Sequence, residues 1–175
     1  LNKMGFDQLR LVIIGGAAAG RELSAVWQIW GLNVIEVFGQ SETAGAMITG
    51  QHSPFPLPGH VGVPPAGWEV RLAGDGEILV RSAYLFEGYW RDPASTAETV
   101  DSDGWLHTGD VGAWDNGQLH IVDRARDIIV TAGGKTVSPT SIESQIRASP
   151  FVSEAVVFGD GRKYLVVGDP DGSQV

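Results

Sequence analysis

The chain has 175 residues, enough for one ordinary domain or parts of two, and its apolar share suits a protein that buries a core. A net charge of −9, with acids and bases interspersed, excludes nucleic acid as the main partner, because phosphate binding needs a basic face. The absence of cysteine excludes a disulfide framework and any thiolate metal site. No apolar run approaches the length of a membrane span, and the start carries no signal-peptide pattern. The chain opens on Leu1 and ends at Val175 just after an apolar run, so both ends are expected to continue into a larger protein.

Leu11-Val12-Ile13-Ile14 is a continuous apolar run, which predicts a strand buried on both faces. A loop from Gly15 to Gly20 follows. Arg21 to Trp30 places Leu23, Val26, Trp27 and Trp30 at helical spacing, and Gly31 stands where a C-terminal glycine belongs. Val34 to Phe38 is the next strand. Strand, helix and strand in this order predict parallel pairing with a right-handed crossover. The loops at Gly15-Gly16 and Gly39-Gln40-Ser41-Glu42 then lie side by side at the carboxyl edge, where open α/β sheets bind ligands.

The pattern changes near His52. Pro54, Pro56, Pro58, Pro64 and Pro65 predict an extended linker without helix. Trp68 to Leu72 alternates apolar and charged residues, Gly74-Asp75-Gly76 turns the chain, and Glu77 to Arg81 returns. Asn116-Gly117 predicts a hairpin between Ala113-Trp114 and Leu119 to Val122. This region reads as an antiparallel sheet or small barrel. Beyond Asp123, Ile128 to Val130 is a strand, and Ser138-Pro139 is a helix start with Ile142 and Ile146 on one face. Ala155 to Phe158 and Tyr164 to Val167 form a hairpin across Gly159-Asp160-Gly161.

Each chemistry-bearing segment is weak evidence by itself. A Gly-Gly-Ala loop before a helix is either a tight turn or a place where a planar ring approaches bare backbone. Ser41-Glu42 is either a helix start or a phosphate donor beside a hard oxygen suited to Mg²⁺. Gly104-Trp105-Leu106-His107-Thr108-Gly109-Asp110 predicts a short strand ending on an acid, either a turn residue or an acceptor for a ribose diol. Gly133-Gly134-Lys135-Thr136 is similar to the tail of a Walker loop, but Ile129 stands where that pattern needs glycine, and Pro139 falls where its helix should open. Asp101-Ser102-Asp103-Gly104 has too few ligands for a calcium loop and reads as an Asp-Gly turn. His52, His60, His107 and His120 lack metal-ligand spacing.

Together and in this order, the segments resemble the superfamily of acyl-CoA synthetases, peptide-synthetase adenylation domains and luciferases. Phe38-Gly39-Gln40-Ser41-Glu42 looks like its aromatic-Gly-x-Thr/Ser-Glu motif. Gly76 to Arg81 with Gly88-Tyr89-Trp90 looks like the next signature, Gly104 to Asp110 like the ribose motif, and Asp123 to Asp127 like the hinge. The resemblance implies α/β with a β-rich part. Residues 1–123 would end a large adenylation domain, as a β-α-β edge (1–50) and a β-rich subdomain (51–123). A hinge would follow at 124–127, then the start of a small α+β domain at 128–175.

In such enzymes a carboxylate attacks the ATP α-phosphate, pyrophosphate leaves, the small domain rotates, and a thiol displaces AMP. The resemblance implies ATP, Mg²⁺ and coenzyme A as partners, all small molecules. Gly16, Ala17 and Ala18 would line the adenine pocket, with Phe38 stacked on the ring and Gly39 and Gln40 beside it. Ser41 would touch the α-phosphate and Glu42 would hold Mg²⁺, the two catalytic candidates. Asp110 would bind the ribose with Arg124 beside it, and Arg126 would be the pivot, where relatives have Asp or Lys. Ala132, Gly133 and Gly134 would fit the pantetheine channel, and Lys135 could reach a phosphate. The pyrophosphate loop and the catalytic lysine of the small domain have no counterpart in the sequence, so the chain alone is expected to be inactive. Ile128 to Lys135 is most similar to fatty-acyl-CoA ligases. An amino-acid or aryl-acid adenylation domain, or a non-catalytic nucleotide-binding module, stays open. The resemblance also implies a cytoplasmic location and leaves peripheral membrane contact open.

Overall fold

The computed structural model describes residues 5–17, 20–45, 48–52 and 54–168. The chain forms two compact units: Leu1–Thr108 with Gly112–Ile121, and Gly109–Val111 with Val122–Val175. The architecture is mixed α/β with an antiparallel β-rich part, as the sequence predicts.

The first unit opens with β1 (Leu11–Ile14), α1 (Arg21–Ile29) and β2 (Asn33–Phe38). β1 and β2 pair in parallel from Leu11 opposite Asn33 to Ile14 opposite Glu36. Helix α1 stops as its sequence predicts. Gly31, at φ +87°, lets its own N–H reach the Gln28 carbonyl at 2.9 Å and the Leu32 N–H reach Trp27 at 3.1 Å. A short strand β3 (Thr49–Gly50) adds antiparallel to β2, giving the order β1-β2-β3.

One expectation for this region does not hold. β1 is not buried on both faces: Leu11 is 43% and Ile13 59% exposed. It is an edge strand, bonded on one side alone among the described residues. Of the apolar residues at helical spacing, Leu23, Val26 and Trp30 are 54%, 41% and 53% exposed. The one buried residue of α1 is Ser24, whose hydroxyl donates to Glu36 Oε1 at 3.0 Å.

The proline-rich stretch forms no helix, but it is a fastened loop and not a free linker. Glu36 Oε1 accepts from the Gly59 N–H at 2.8 Å, and Gln51 Nε2 donates to the Leu57 carbonyl at 2.8 Å. Gln28 Nε2 donates to the Pro56 carbonyl at 2.8 Å, and Asn33 Oδ1 accepts from the Phe55 N–H at 2.7 Å. Buried Glu36 is thus satisfied by hydrogen bonds, as a buried carboxylate must be. Gly62 then passes so close to Gly50 that a Cβ would stand 2.0 Å from the Gly50 oxygen. No other residue fits there.

The β-rich part contains β4 (Trp68–Leu72), β5 (Glu77–Ser82), α2 (Pro93–Thr99), β6 (Leu106–Asp115) and β7 (Gln118–Arg124). Their sheet order is β4-β5-β6-β7. Trp68 and Val70 alternate with exposed Glu69 and Arg71, as a half-buried strand requires. The β6–β7 turn uses Asn116 at φ 49° and Gly117 at φ 76°, the two left-handed residues of a type I′ hairpin. Phe38, Ile48, Val61, Trp68, Ile78, Val80, Leu106 and Leu119 form the core of this unit.

In the second unit, β8 (Ile129–Val130) and β9 (Thr136–Val137) form a hairpin, α3 (Pro139–Arg147) follows, and β10 (Val156–Phe158) pairs antiparallel with β11 (Val166–Gly168). Ser138 caps α3 by accepting from the Ser141 N–H at 3.2 Å, with Pro139 in the first turn.

Candidate functional site

In the first unit the parallel register brings Gly15 beside Val37 at the carboxyl edge of the sheet, so the loop at Gly15-Gly16 neighbours the one that follows β2. Gly16 has φ +80° and open space where a Cβ would be, so conformation and not crowding selects glycine there. Gly16 and Ala17 are exposed. Ala18 lies outside the described residues. Phe38 is 8% exposed and belongs to the core, so only a small part of its ring is accessible.

After Gly39, Gln40 is extended and Ser41–Thr43 makes a single 3₁₀ turn. Thr43, fully buried, holds this turn: its hydroxyl donates to the Gln40 carbonyl at 2.7 Å, and the Gln40 N–H donates to that hydroxyl at 3.3 Å. Ser41 is left exposed and Glu42 half-buried. Glu42 is fixed by a distant segment. Its carbonyl accepts from the Phe86 N–H at 2.8 Å, and its Oε1 accepts from the Tyr89 hydroxyl at 2.6 Å. That hydrogen bond to a carboxylate holds the Tyr89 phenol above its ordinary titration range. Among the described residues there is no group of three His, Cys, Asp or Glu that could hold a metal ion.

In the second unit, Asp110 is 7% exposed, and Arg124 Nε lies 3.2 Å from its Oδ1. The sequence predicts a strand that ends on Asp110, and this is corrected: β6 runs on to Asp115, and Asp110 lies in its middle. Gly109, at φ +70°, kinks the strand without ending it. Arg126 sits in a 3₁₀ turn, Ala125–Asp127, with its side chain 77% exposed and 3.7 Å from Asp127 Oδ1. Ala132 to Lys135 form the exposed β8–β9 turn, closed by the Gly134 N–H on the Thr131 carbonyl at 2.8 Å. No helix follows that turn directly, consistent with the exclusion of a Walker loop.

Thr43 and Phe86 escape sequence reasoning, and so do the contacts of Asp123. Thr43 acts through its hydroxyl on the Gln40 backbone and Phe86 through a backbone N–H, neither of which the residue order announces. Asp123 accepts from Arg124 N–H at 2.9 Å, the Ser138 hydroxyl at 2.7 Å and the Thr140 hydroxyl at 3.0 Å. Tyr89 carries a signal, because it lies in the Gly88-Tyr89-Trp90 signature, but nothing in its spacing points to Glu42.

Comparison with known proteins identifies the family. Residues 2–90 match the model of AMP-binding enzymes, and residues 126–167 match that of the AMP-binding enzyme C-terminal domain. The chain belongs to the AMP-binding enzyme family. It is 43% identical over 166 residues to the long-chain-fatty-acid–CoA ligase FadD15 of Mycobacterium bovis, covering 93% of this chain and 27% of that protein. It is 39% identical over 176 residues to human long-chain-fatty-acid–CoA ligase 6, covering 91% of this chain and 25% of the relative. Among solved structures it resembles Bacillus subtilis o-succinylbenzoate CoA synthetase in complex with ATP and magnesium ion. There the TM-score is 0.77 at 29% identity, over 92% of this chain and 36% of that one. The chain thus spans about a quarter of the length of the curated relatives it matches. No described helix is long and apolar enough to cross a membrane.

Proposed function

We propose that the whole protein is an ATP-dependent acyl-CoA ligase acting on a fatty acid. The observation that carries this reading is the 43% identity, over 93% of the chain, to a protein named a long-chain-fatty-acid–CoA ligase. In the first half-reaction the substrate carboxylate forms a bond to the α-phosphorus of ATP and the bond to pyrophosphate breaks. In the second, the coenzyme A thiol gives up its proton, its sulfur bonds to the acyl carbon, and AMP leaves.

The chain's own part is positioning and charge stabilisation. Gly16, Ala17, Ala18, Phe38, Gly39 and Gln40 belong to the adenine side. Ser41 donates to an α-phosphate oxygen. Asp110 accepts from the ribose hydroxyls, and Arg124, 3.2 Å away, orients that carboxylate. Glu42 is the protein ligand of Mg²⁺, which neutralises charge on the phosphate oxygens when bound. Residues 124–127 are the hinge between the large and small domains (1–123 and 128–175), with Arg126 as its pivot. Ala132, Gly133, Gly134 and Lys135 face coenzyme A after rotation. A cytoplasmic location with small-molecule partners fits this reading.

The test is ATP–pyrophosphate exchange by the whole protein with a panel of acids, followed by mass spectrometry of the CoA product. Exchange that depends on a fatty acid and yields its CoA thioester is expected. A second reading, an aryl-acid ligase, is favoured by the likeness to o-succinylbenzoate CoA synthetase. It would be the outcome if aryl acids alone supported exchange. Exchange with no acid at all would overturn both.

A further inference from the structure

Glu42 is half-buried, on a turn anchored in its own segment by backbone bonds and Thr43. Its carboxylate is oriented from outside, by Tyr89, forty-seven positions along the chain, at 2.6 Å. That distance is in the range of a charge-assisted O–H···O⁻ bond, the strong kind. Tyr89 is itself held at several points. Its ring meets Phe86 edge to face, with centroids 4.9 Å apart and planes at 71°. Its N–H donates to Thr96 Oγ1 at 2.9 Å, and the Thr96 hydroxyl donates to the Asp92 carbonyl at 2.8 Å. Gly88, at φ +145°, lets Thr96 come this close, since a Cβ there would stand 2.8 Å from Thr96 Cγ2. The chain of contacts therefore runs from the first turn of α2 through Thr96 and Tyr89 to the Glu42 carboxylate. Phe86 fastens the backbone of the same glutamate at 2.8 Å.

A glutamate that ligates a cation must hold one rotamer, and a long side chain loses considerable freedom in doing so. A donor on one carboxylate oxygen selects the rotamer beforehand and leaves the carboxylate with lone pairs for a cation. We propose that Tyr89 is a positioning residue for Mg²⁺, its hydroxyl holding the Glu42 carboxylate in the orientation that takes the ion. The inference rests on the assignment of Glu42 to Mg²⁺ under the proposed function. Tyr89 does not touch the ion; it acts through Glu42.

The experiment uses the whole protein and its Tyr89→Phe, Glu42→Gln and doubly substituted forms. Phe keeps the ring against Phe86, so the fold is retained, and thermal unfolding verifies it. Two readouts are taken: Mn²⁺ binding in the presence of ATP, by electron paramagnetic resonance, and the Mg²⁺ concentration for half-maximal pyrophosphate exchange. Partners of metal ligands typically change metal affinity by about 10–100-fold. Tyr89→Phe should weaken Mn²⁺ binding and raise the Mg²⁺ requirement by about 10-fold, with ATP affinity in the absence of metal unchanged. Glu42→Gln should have at least as large an effect, and the double substitution should add nothing to it. If Glu42→Gln shifts the metal requirement and Tyr89→Phe does not, the role of Tyr89 is wrong and that of Glu42 stands. If Glu42→Gln shifts nothing, the assignment of Glu42 fails and the inference fails with it. Fully additive effects would place Tyr89 in packing and overturn the proposal as well. Should Tyr89→Phe unfold the protein, Thr96→Val, which removes the anchor of the Tyr89 backbone together with the Thr96–Asp92 bond, should give a smaller shift of the same sign, and no shift would overturn it.

Discussion

Asp110 and Arg124 differ sharply in environment: the carboxylate side chain is 9% exposed and the guanidinium side chain 57%. Removing the acid leaves the Arg124 cation in water, so that charge is not stranded in the interior. A ligand that donates to the same carboxylate loses a charge-assisted hydrogen bond, worth roughly 1.5–3 kcal/mol. Asp110→Ala in the whole protein should therefore weaken ATP binding about 10- to 100-fold with little change in thermal stability, as read by calorimetric titration beside a melting curve. Unchanged affinity would remove Asp110 from the ribose site. Arg124→Ala should weaken binding less, because water already shares that side chain.

Among the elements, α3 depends on a residue outside it. Asp123 accepts from the Ser138 and Thr140 hydroxyls at 2.7 and 3.0 Å, and Ser138 in turn caps the helix. Asp123→Ala should cost about 1–3 kcal/mol of stability, more than Ser138→Ala at about 1 kcal/mol, because it breaks several bonds to one buried carboxylate. Urea unfolding followed by circular dichroism compares the two; equal losses would mean the cap alone matters. Elements of this kind divide by how much of their cause is local. Gly31, Asn116-Gly117 and Ser138-Pro139 act through their own backbone, so the end of α1, the β6–β7 hairpin and the start of α3 were legible in the sequence. Helix α2 was missed although Asp92-Pro93 announces it: Asp92 Oδ1 accepts from the Ser95 N–H at 3.0 Å. The exposure of Leu11, Ile13 and the α1 stripe was not legible, because an apolar run states that a surface is suited to burial and not what buries it. At the site, residue types and order suggested Ser41, Glu42, Asp110 and Arg124, while the contact of Tyr89 with Glu42 depends on tertiary structure and left no spacing to read.

At the scale of the whole molecule, the proposed hinge makes a kinetic prediction. Arg126 lies in a short 3₁₀ turn, and its exposed side chain pairs with Asp127. Proline there fixes φ and removes an N–H, which restricts rotation. Arg126→Pro should slow thioester formation more than adenylate formation, measured as separate half-reactions in rapid-quench experiments; equal slowing would argue against a pivot. The two compact units also have a consequence for how the chain can be divided. Gly109–Val111 group with the unit that otherwise starts at Val122, so the units are interleaved in sequence and not placed end to end. No single scission separates them. A C-terminal piece begun at Val122 would carry Arg124 but leave its Asp110 partner, 3.2 Å away in the intact chain, on the other polypeptide. Only recombined halves can restore the Asp110–Arg124 pair, which makes split-chain complementation a test of that pair.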